Sequence, residues 1–177
     1  MSLFHKPLYA LPLLPLLLTA CASVPSASPP PNVPAALNPP AGQALTLETL
    51  ADGVQIYECS QKADGTYEWV FKFPEAKLLS KTGIDLGKHY AGPTWEGSDG
   101  STVVGQVAAR DPGPDANAIP WLLLSAKSNT GKGVFAKTKS IQRVYTAGGL
   151  APKIVCNAGN LKQSARIPYT ASYYFYE

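Results

Sequence analysis

The sequence predicts an all-β fold, either a single-domain antiparallel β-barrel or a two-sheet β-sandwich, with long loops and little helix. Two observations support this class. Short runs of β-branched and aromatic residues recur along the chain between clusters of Gly, Pro, Asn and Asp, and a helical period of apolar residues is hard to find. Because many short strands need their edges paired or covered, a closed barrel or a sandwich is the natural arrangement.

The first two predicted strands form a hairpin. Residues 54–59 alternate apolar with polar or small side chains, and residues 67–73 do much the same. Asp64-Gly65 lies between the two runs and is a turn signal, which favours antiparallel pairing. Pro74 is expected to end the second strand.

The remaining strands follow further turn signals. Residues 102–109 come after the Asp99-Gly100 turn. Residues 121–124 are predicted to form a buried strand rather than a helix, because Pro120 precedes them and Asn129-Thr130-Gly131 follows within a few residues. Further strands are predicted at residues 134–138, 141–146 and 167–176.

The N-terminus has the layout of an export signal. Lys6 precedes an apolar run at residues 8–18, which is too short to cross a bilayer comfortably. Residues 18–21, Leu-Thr-Ala-Cys, resemble the lipobox of bacterial lipoproteins, which implies removal of residues 1–20 and lipidation of Cys21. The alternative is ordinary signal cleavage after Ala20 or Ala22, which leaves a free thiol.

The chain after Cys21 is expected to be a tether followed by one domain. Residues 21–43 are rich in proline and lack charge, which favours a semi-rigid spacer, and residues 44–177 have the length of one domain. In the enterobacterial lipoproteins that this segment resembles, an aspartate after the cysteine favours retention at the inner membrane. Ala22 stands at that position, so the resemblance implies a lipid anchor in the outer membrane, with the domain expected to face the periplasm.

Composition excludes a nucleic-acid partner. Removal of residues 1–20 takes away Lys6 and no acidic residue, which lowers the formal net charge from +3 to +2. The lysines are spread among apolar and small residues, which is typical of a solvated surface and not of a nucleic-acid patch.

Cys59 and Cys156 are predicted to form a disulfide. They remain as an even pair once Cys21 is lipidated, in a compartment where disulfides persist. The bridge would close a loop that spans most of the domain, and the chain-entropy model values such a bridge at about 4–5 kcal/mol. The alternative is two buried thiols or a reactive pair, although the spacing is not that of a redox motif.

Residues 87–101 form the candidate site, because they combine turn formers, aromatics, carboxylates and the only histidine after residue 20. His89 is a candidate general base that Asp99, Glu96 or Asp85 would orient, with Ser98 or Ser101 as the nucleophile. The alternative is a buried imidazole satisfied by the backbone, with Trp95 in the core. One histidine and two bonded cysteines provide too few ligands for zinc, so no metal and no cofactor are predicted.

Arg143 is the other candidate binding residue. It lies between Ile141 and Val144 on a predicted strand, and it is either a buried cation paired with Glu75 or Asp99 or an outward-facing side chain. With His89, Trp95, Glu96 and Asp99 it completes the set of ligand-binding candidates.

The domain resembles a known family in an ordered series of motifs. These are GVQIYEC at residues 53–59, W-x-F-x-FPEA-x-L at 69–78, the His89 segment, IPWLLL at 119–124, IQRV at 141–144, TAGG at 146–149, AP-x-x-x-C at 151–156 and YTA-x-YYFY at 169–176. From about Leu50 onward they resemble the "domain of unknown function 3455" family of exported bacterial and fungal proteins. The resemblance implies no activity, and no G-x-G-x-x-G motif opens a helix after a strand to suggest a nicotinamide cofactor.

Three functions are compatible with these patterns. The leading prediction is a membrane-tethered β domain that binds a ligand or partner in the cell envelope, without catalysis, through the His89–Ser101 segment and Arg143. The alternatives are a small hydrolase that uses His89 and Asp99, and a purely structural envelope protein.

Overall fold

The computed structural model describes Met1 and residues 30–177, in which the chain forms an antiparallel β-barrel of eight strands. The strands are β1 Leu45–Gln61, β2 Tyr67–Leu79, β3 Asp85–Tyr90, β4 Thr94–Gly97, β5 Thr102–Asp111, β6 Trp121–Thr130, β7 Ser140–Gly148 and β8 Ser164–Tyr176. Each strand pairs with the next along the chain, and β8 pairs with β1 to close the ring. The all-β prediction is confirmed, and of its two alternatives the chain adopts the barrel.

Helix is confined, within the described residues, to two 3-10 turns at Ala35–Leu37 and Ala158–Asn160. No helix in that part of the chain has the length and apolar character to cross a bilayer. Residues 2–29, which comprise the predicted signal peptide after Met1, Cys21 and the first part of the spacer, lie outside the described residues.

Strand β8 shows how the barrel sorts its side chains. Tyr169, Ala171, Tyr173 and Phe175 belong to the interior cluster, while Tyr174 belongs to a separate cluster on the outer face. This is the two-residue alternation of a strand, and here both faces are buried. The enrichment of aromatic residues in β8 follows from this double burial.

The prediction that Pro74 ends the second strand is wrong, because β2 continues to Leu79. Pro74 pairs with Gln55 of β1, but β3 pairs with β2 only from Ala76 onward. At Pro74 the other edge of β2 therefore has no neighbouring strand, and the missing amide hydrogen costs no ladder hydrogen bond.

The prediction of a strand at residues 134–138 is also wrong. This segment lies in the β6–β7 connection, where Asn129 Nδ2 donates hydrogen bonds to the carbonyl oxygens of Phe135 (2.7 Å) and Thr138 (3.1 Å). The Phe135 side chain is fully buried, with its ring 4.7 Å from that of Phe175. Phe135 and Thr138 are therefore buried at an end of the barrel, and the segment does not extend the sheet.

Strands β3 and β4 are not predicted from the sequence patterns. Gly87, Gly92, Pro93 and Gly97 interrupt any regular alternation, yet the two strands pair from Gly87↔Gly97 to Tyr90↔Thr94. They are the shortest neighbouring pair of strands in the described barrel.

The two ends of the barrel differ. The connections β2–β3, β4–β5 and β6–β7 lie at one end, which we call the closed end because large buried side chains fill the interior there. These are Leu78, Val103, Phe135, Ile141 and Phe175. The connections β1–β2, β3–β4, β5–β6 and β7–β8 lie at the other end, which we call the open end.

The N-terminal segment packs on the outside of the barrel. Leu37, which composition assigns to the spacer of residues 21–43, is fully buried against Trp121, Leu123 and Val144, and Val33 packs beside it. Its carbonyl oxygen accepts a hydrogen bond of 2.7 Å from Gln142 Nε2. Leu37 therefore packs on an apolar surface that residues of the strands form. The composition of residues 21–43 does not predict this contact.

Cys59 and Cys156 form the predicted disulfide, with Cα atoms 5.4 Å apart. The bond joins β1 to the β7–β8 connection at the open end. Trp69 Nε1 adds a hydrogen bond of 2.8 Å to the carbonyl oxygen of Ile154. The long connection is therefore fixed to the first hairpin.

Candidate functional site

The short β3–β4 hairpin leaves a notch in the wall of the barrel. Strand β2 pairs with β3 only over Ala76 to Leu79, and β5 pairs with β4 only up to Val104. Beyond those residues β2 and β5 continue toward the open end with no strand between them. The interior is therefore accessible above the turn at Gly92 and Pro93.

A cavity of about 500 Å³ opens at this notch, and we call it the mouth cavity. This volume lies within the range of small-molecule sites, and eight-stranded barrels commonly hold one small ligand. Its lining residues are Gln55, Tyr57, Phe71, Lys72, Phe73, Pro74, His89, Gly92, Pro93, Trp95, Val107, Arg110, Ile119, Pro120, Leu122, Leu124, Arg143 and Tyr173.

His89 is a buried, neutral imidazole on the cavity wall. Its side chain is 3 % exposed, and Nδ1 lies 2.8 Å from the carbonyl oxygen of Thr94. A carbonyl oxygen only accepts, so Nδ1 carries the hydrogen and Nε2 is an acceptor. Burial, opposed by the Thr94 hydrogen bond and aided by the positive charge of Arg143, lowers the pKa of His89 from 6.5 to about 3. Of the two readings of His89 from the sequence, the geometry matches the imidazole satisfied by the backbone.

Aromatic rings hold His89 in place. The imidazole stacks on the indole of Trp95, with centroids 4.3 Å apart, and meets the ring of Tyr173 edge-on at 5.1 Å. Gly105 makes room for the indole, because a Cβ there would lie 2.9 Å from a ring carbon of Trp95. Trp95 and Tyr173 separate the mouth cavity from Phe175 and the packed interior.

Arg143 lines the mouth cavity and pairs with neither Glu75 nor Asp99, the two partners considered for a buried cation at this position. Its Nε and Nη2 donate to the carbonyl oxygen of Pro120, at 3.2 and 2.7 Å. The expected partners are engaged elsewhere, since Glu75 pairs with Arg166 at 2.6 Å and Asp99 binds its own loop. Its charge acts on the cavity hydroxyls: burial raises the pKa of Tyr57, and Arg143 opposes that rise.

Three buried polar atoms on the cavity wall make no hydrogen bond of regular geometry with any described residue. They are Gln55 Nε2, Trp95 Nε1 and the hydroxyl of Tyr173. Burial raises the pKa of Tyr173, and weaker interactions with Arg143 and Tyr169 oppose the rise. Gln55 and Tyr173 each interact with Tyr169, but short of regular hydrogen-bond geometry, and such poorly satisfied buried polar groups are uncommon in folded proteins.

Glu96 faces away from the mouth cavity. It alternates with Trp95 on β4, and its carboxylate binds Lys88 Nζ at 3.2 Å and the hydroxyl of Tyr90 at 2.8 Å. The Tyr90 hydrogen bond, followed by that from Lys88, lowers the pKa of Glu96. Glu96 therefore forms an exposed cross-strand cluster with residues of β3.

Asp99 lies in the β4–β5 turn at the closed end. Its carboxylate accepts hydrogen bonds from Ser101 N (2.9 Å), Ser101 Oγ (2.6 Å) and Val134 N (2.8 Å), and the Ser101 hydroxyl is the leading cause of its lowered pKa. Within residues 30–177 no hydrogen bond or ion pair joins Asp99 to His89. Ser101 is fully buried, and its Oγ also accepts from Phe135 N at 3.1 Å. The proposed base, orienting acid and nucleophile are not assembled into one constellation.

The site therefore combines some predicted residues with others that the sequence did not indicate. His89, Trp95 and Arg143 line one cavity, whereas Glu96 and Asp99 do not. Gln55, Tyr57 and Tyr173 also line it and were not predicted. Gln55 and Tyr57 lie two residues apart on β1, a spacing that places both side chains on the same face of a strand. This spacing is a sequence signal for Gln55 and Tyr57 but not for Tyr173.

No cluster of three or more metal-ligating side chains occurs among the residues that the structure describes.

Comparison with known proteins gives one match. Residues 40–177 match the model of a family described as a protein of unknown function (DUF3455). No curated protein and no solved structure matches the chain. The resemblance in the ordered motifs is thereby confirmed, and the chain belongs to the DUF3455 family.

Proposed function

We propose that this protein is an exported, lipid-anchored binding protein whose barrel holds a small, partly apolar ligand in the mouth cavity. One observation carries the proposal: the barrel is filled at one end, and at the other it keeps a cavity with three buried polar atoms that lack regular hydrogen bonds. Such atoms cost stability unless a ligand or solvent satisfies them. A ligand with polar and apolar parts matches this wall.

The geometry favours binding over hydrolysis. A general base works best when its pKa lies near the operating pH, and the pKa of His89 is about 3. Thr94, and not a carboxylate, orients the ring, and the carboxylate of Asp99 serves a turn at the closed end. Within residues 30–177 the hydrogen bond of His89 is to the backbone oxygen of Thr94 and not to a hydroxyl or thiol.

The anchor belongs to the same proposal. Lipidation at Cys21 after removal of residues 1–20 would hold the barrel at the outer membrane, facing the periplasm, on a spacer that starts at Cys21. The Cys59–Cys156 disulfide supports an oxidising compartment.

Two tryptophan substitutions at opposite ends of the barrel test the binding role. Val107 lines the mouth cavity, whereas Val134 lies on the closed-end β6–β7 connection, and both are partly exposed. Val107→Trp places an indole in the mouth and should weaken binding of the neutral fluorescent probe phenylnaphthylamine at least tenfold. Val134→Trp makes the same chemical change and should leave the affinity within twofold. Fluorescence titration measures both.

A wild-type chain that does not bind the probe, or a Val107→Trp variant that binds it like the wild type, would overturn the binding proposal. Circular dichroism should show that both variants keep the β fold, so that a lost signal reports the cavity alone.

Metabolic labelling tests the anchor. The full chain expressed in a bacterium with two membranes should incorporate labelled palmitate, and Cys21→Ser should abolish the incorporation. Cys156→Ser is the matched control, because it also removes one sulfur but should keep the label. Equal labelling of the wild type and Cys21→Ser would refute lipidation at Cys21.

A further inference from the structure

The lining of the mouth cavity carries positive charge and no carboxylate. Lys72, Arg110 and Arg143 are among its lining residues, and no aspartate or glutamate is. Lys72 has its own counter-ion, because its Nζ lies 3.1 Å from Oε1 of Glu58. None of the ion pairs formed among residues 30–177 includes Arg143.

Arg143 is oriented but not saturated. Its Nε and one Nη2 hydrogen point at the carbonyl oxygen of Pro120, which fixes the plane of the guanidinium. The Tyr173 hydroxyl also interacts with the guanidinium, and Nη1 and Nη2 carry the remaining N–H donors. These two nitrogens form the edge that accepts a carboxylate in two parallel hydrogen bonds.

Two further polar side chains line the same cavity as Arg143. Tyr173 is opposite Arg143 in the β7–β8 register, and its hydroxyl interacts with the guanidinium. Gln55 is 2 % exposed and has no regular hydrogen bond at Nε2. An acceptor placed on Arg143 would therefore have additional donors nearby.

The remaining wall is apolar and extends to solvent. Phe73 and Leu122 line the cavity, and Phe71 and Val107 line it while remaining 47 % and 36 % exposed. A partly buried cation next to an apolar wall fits a molecule with an acid group and a hydrocarbon part. Burial of the hydrocarbon part against this apolar wall would contribute to the affinity.

We propose that the ligand of the mouth cavity is an amphiphilic organic carboxylate, with its carboxylate on the Nη1–Nη2 edge of Arg143 and its hydrocarbon part along Phe71 and Val107. This inference rests on the proposed binding function and adds the class of ligand. The carboxylate supplies a counter-charge that no residue in the described range 30–177 places beside Arg143, and its oxygens accept from donors of the cavity wall that lack regular hydrogen bonds.

Three probes of one chain length test the charge: octanoate, octanol and octylamine. Isothermal titration of the purified full chain should show octanoate binding at least tenfold more tightly than octanol, and octylamine more weakly than either. Arg143→Gln should reduce the affinity for octanoate to that for octanol and leave octanol within twofold. Arg166→Gln on the neighbouring strand β8 is the matched control, because it also removes one positive charge but its guanidinium pairs with Glu75 outside the cavity.

The outcomes separate this inference from the binding role. If phenylnaphthylamine binds in the cavity and octanoate has no advantage over octanol, the carboxylate assignment is wrong and the binding role stands. If Arg166→Gln weakens octanoate binding as much as Arg143→Gln does, the preference is a general charge effect and the assignment is again wrong. If neither phenylnaphthylamine nor any octyl probe binds, both proposals fail. The probe series on the wild type decides the question even if Arg143→Gln does not fold.

Discussion

The closed and open ends of this barrel are formed by the same eight strands but differ in how their interiors are packed. At the closed end Phe135 and Phe175 have no exposed surface, and Asn129 and Ser101 bind the backbone that carries Phe135. At the open end the interior surface is a cavity with polar atoms that lack regular partners. The closed end is filled by packed side chains, whereas at the open end the interior surface is accessible through the cavity.

This difference shows where the fold obtains its stability. Burial of large apolar side chains is the main favourable term in folding, and at the closed end Phe135, Ile141 and Phe175 are fully buried. The disulfide and the Trp69 hydrogen bond lie at the open end, where packing is poorer. At the open end the disulfide and this hydrogen bond therefore stabilise a region in which the cavity leaves fewer packing contacts.

The largest expected effect comes from the same substitution at each end. Phe135→Ala should lower the free energy of unfolding by about 3–5 kcal/mol, because it leaves a hole among fully buried side chains. Phe71→Ala removes an identical ring at the cavity rim, where the residue is 47 % exposed, and should cost only about 1 kcal/mol. Urea unfolding followed by fluorescence measures both.

Binding should change in the opposite order. Phe71→Ala removes part of the apolar wall and should weaken phenylnaphthylamine binding, whereas Phe135→Ala should leave it within twofold. Equal losses of stability at the two sites would mean that the ends are equally packed, and the contrast between them would have to be abandoned.

A second comparison uses pH, through His89. The pKa of this imidazole is about 3 in the folded chain and about 6.5 in an unfolded one, so the unfolded state binds more protons between these values. Stability therefore falls as pH decreases through this window. Between pH 7 and pH 5 the His89 contribution should amount to about 2 kcal/mol of lost stability.

His89→Gln isolates this contribution, because glutamine does not titrate and every carboxylate is kept. The variant should start less stable at pH 7, since it loses the stacking on Trp95, but should lose about 2 kcal/mol less than the wild type on acidification to pH 5. Parallel stability curves for the two proteins would show that His89 is accessible to protons in the folded state.

The closed and open ends also differ in how well the sequence predicts them. Alternating and aromatic runs in β1, β2, β5, β6, β7 and β8 predict the class, because strand periodicity is a local property. The Cys59–Cys156 disulfide follows from cysteine parity. Residues 134–138 have the composition of a strand but form the β6–β7 connection at the closed end, because Asn129 and Ser101 form hydrogen bonds with their backbone.

The candidate site is only partly predictable for a related reason. His89 and Arg143 are conspicuous residue types, and both line the cavity. Asp99 is close to His89 in sequence, yet β4 carries it to the opposite end of the barrel, and Tyr173 reaches the site from the last strand. The notch itself depends on how far β3 and β4 extend relative to β2 and β5, which is a property of pairing and not of composition.

The smallest effect is expected from removal of a single hydroxyl in each kind of environment. Tyr176→Phe deletes the donor of a buried hydrogen bond to Gln142 Oε1 in the outer cluster and should cost about 1–2 kcal/mol, because the acceptor is left buried and unpaired. Tyr173→Phe deletes a cavity hydroxyl whose interactions with Arg143 and Tyr169 fall short of regular hydrogen bonds, so the free energy of unfolding should change by less than about 1 kcal/mol. Thermal and urea unfolding at neutral pH measure both changes. A loss at Tyr173 as large as that at Tyr176 would mean that the hydroxyl already has a strong partner within the fold, and the cavity wall would then have one donor fewer to offer a ligand.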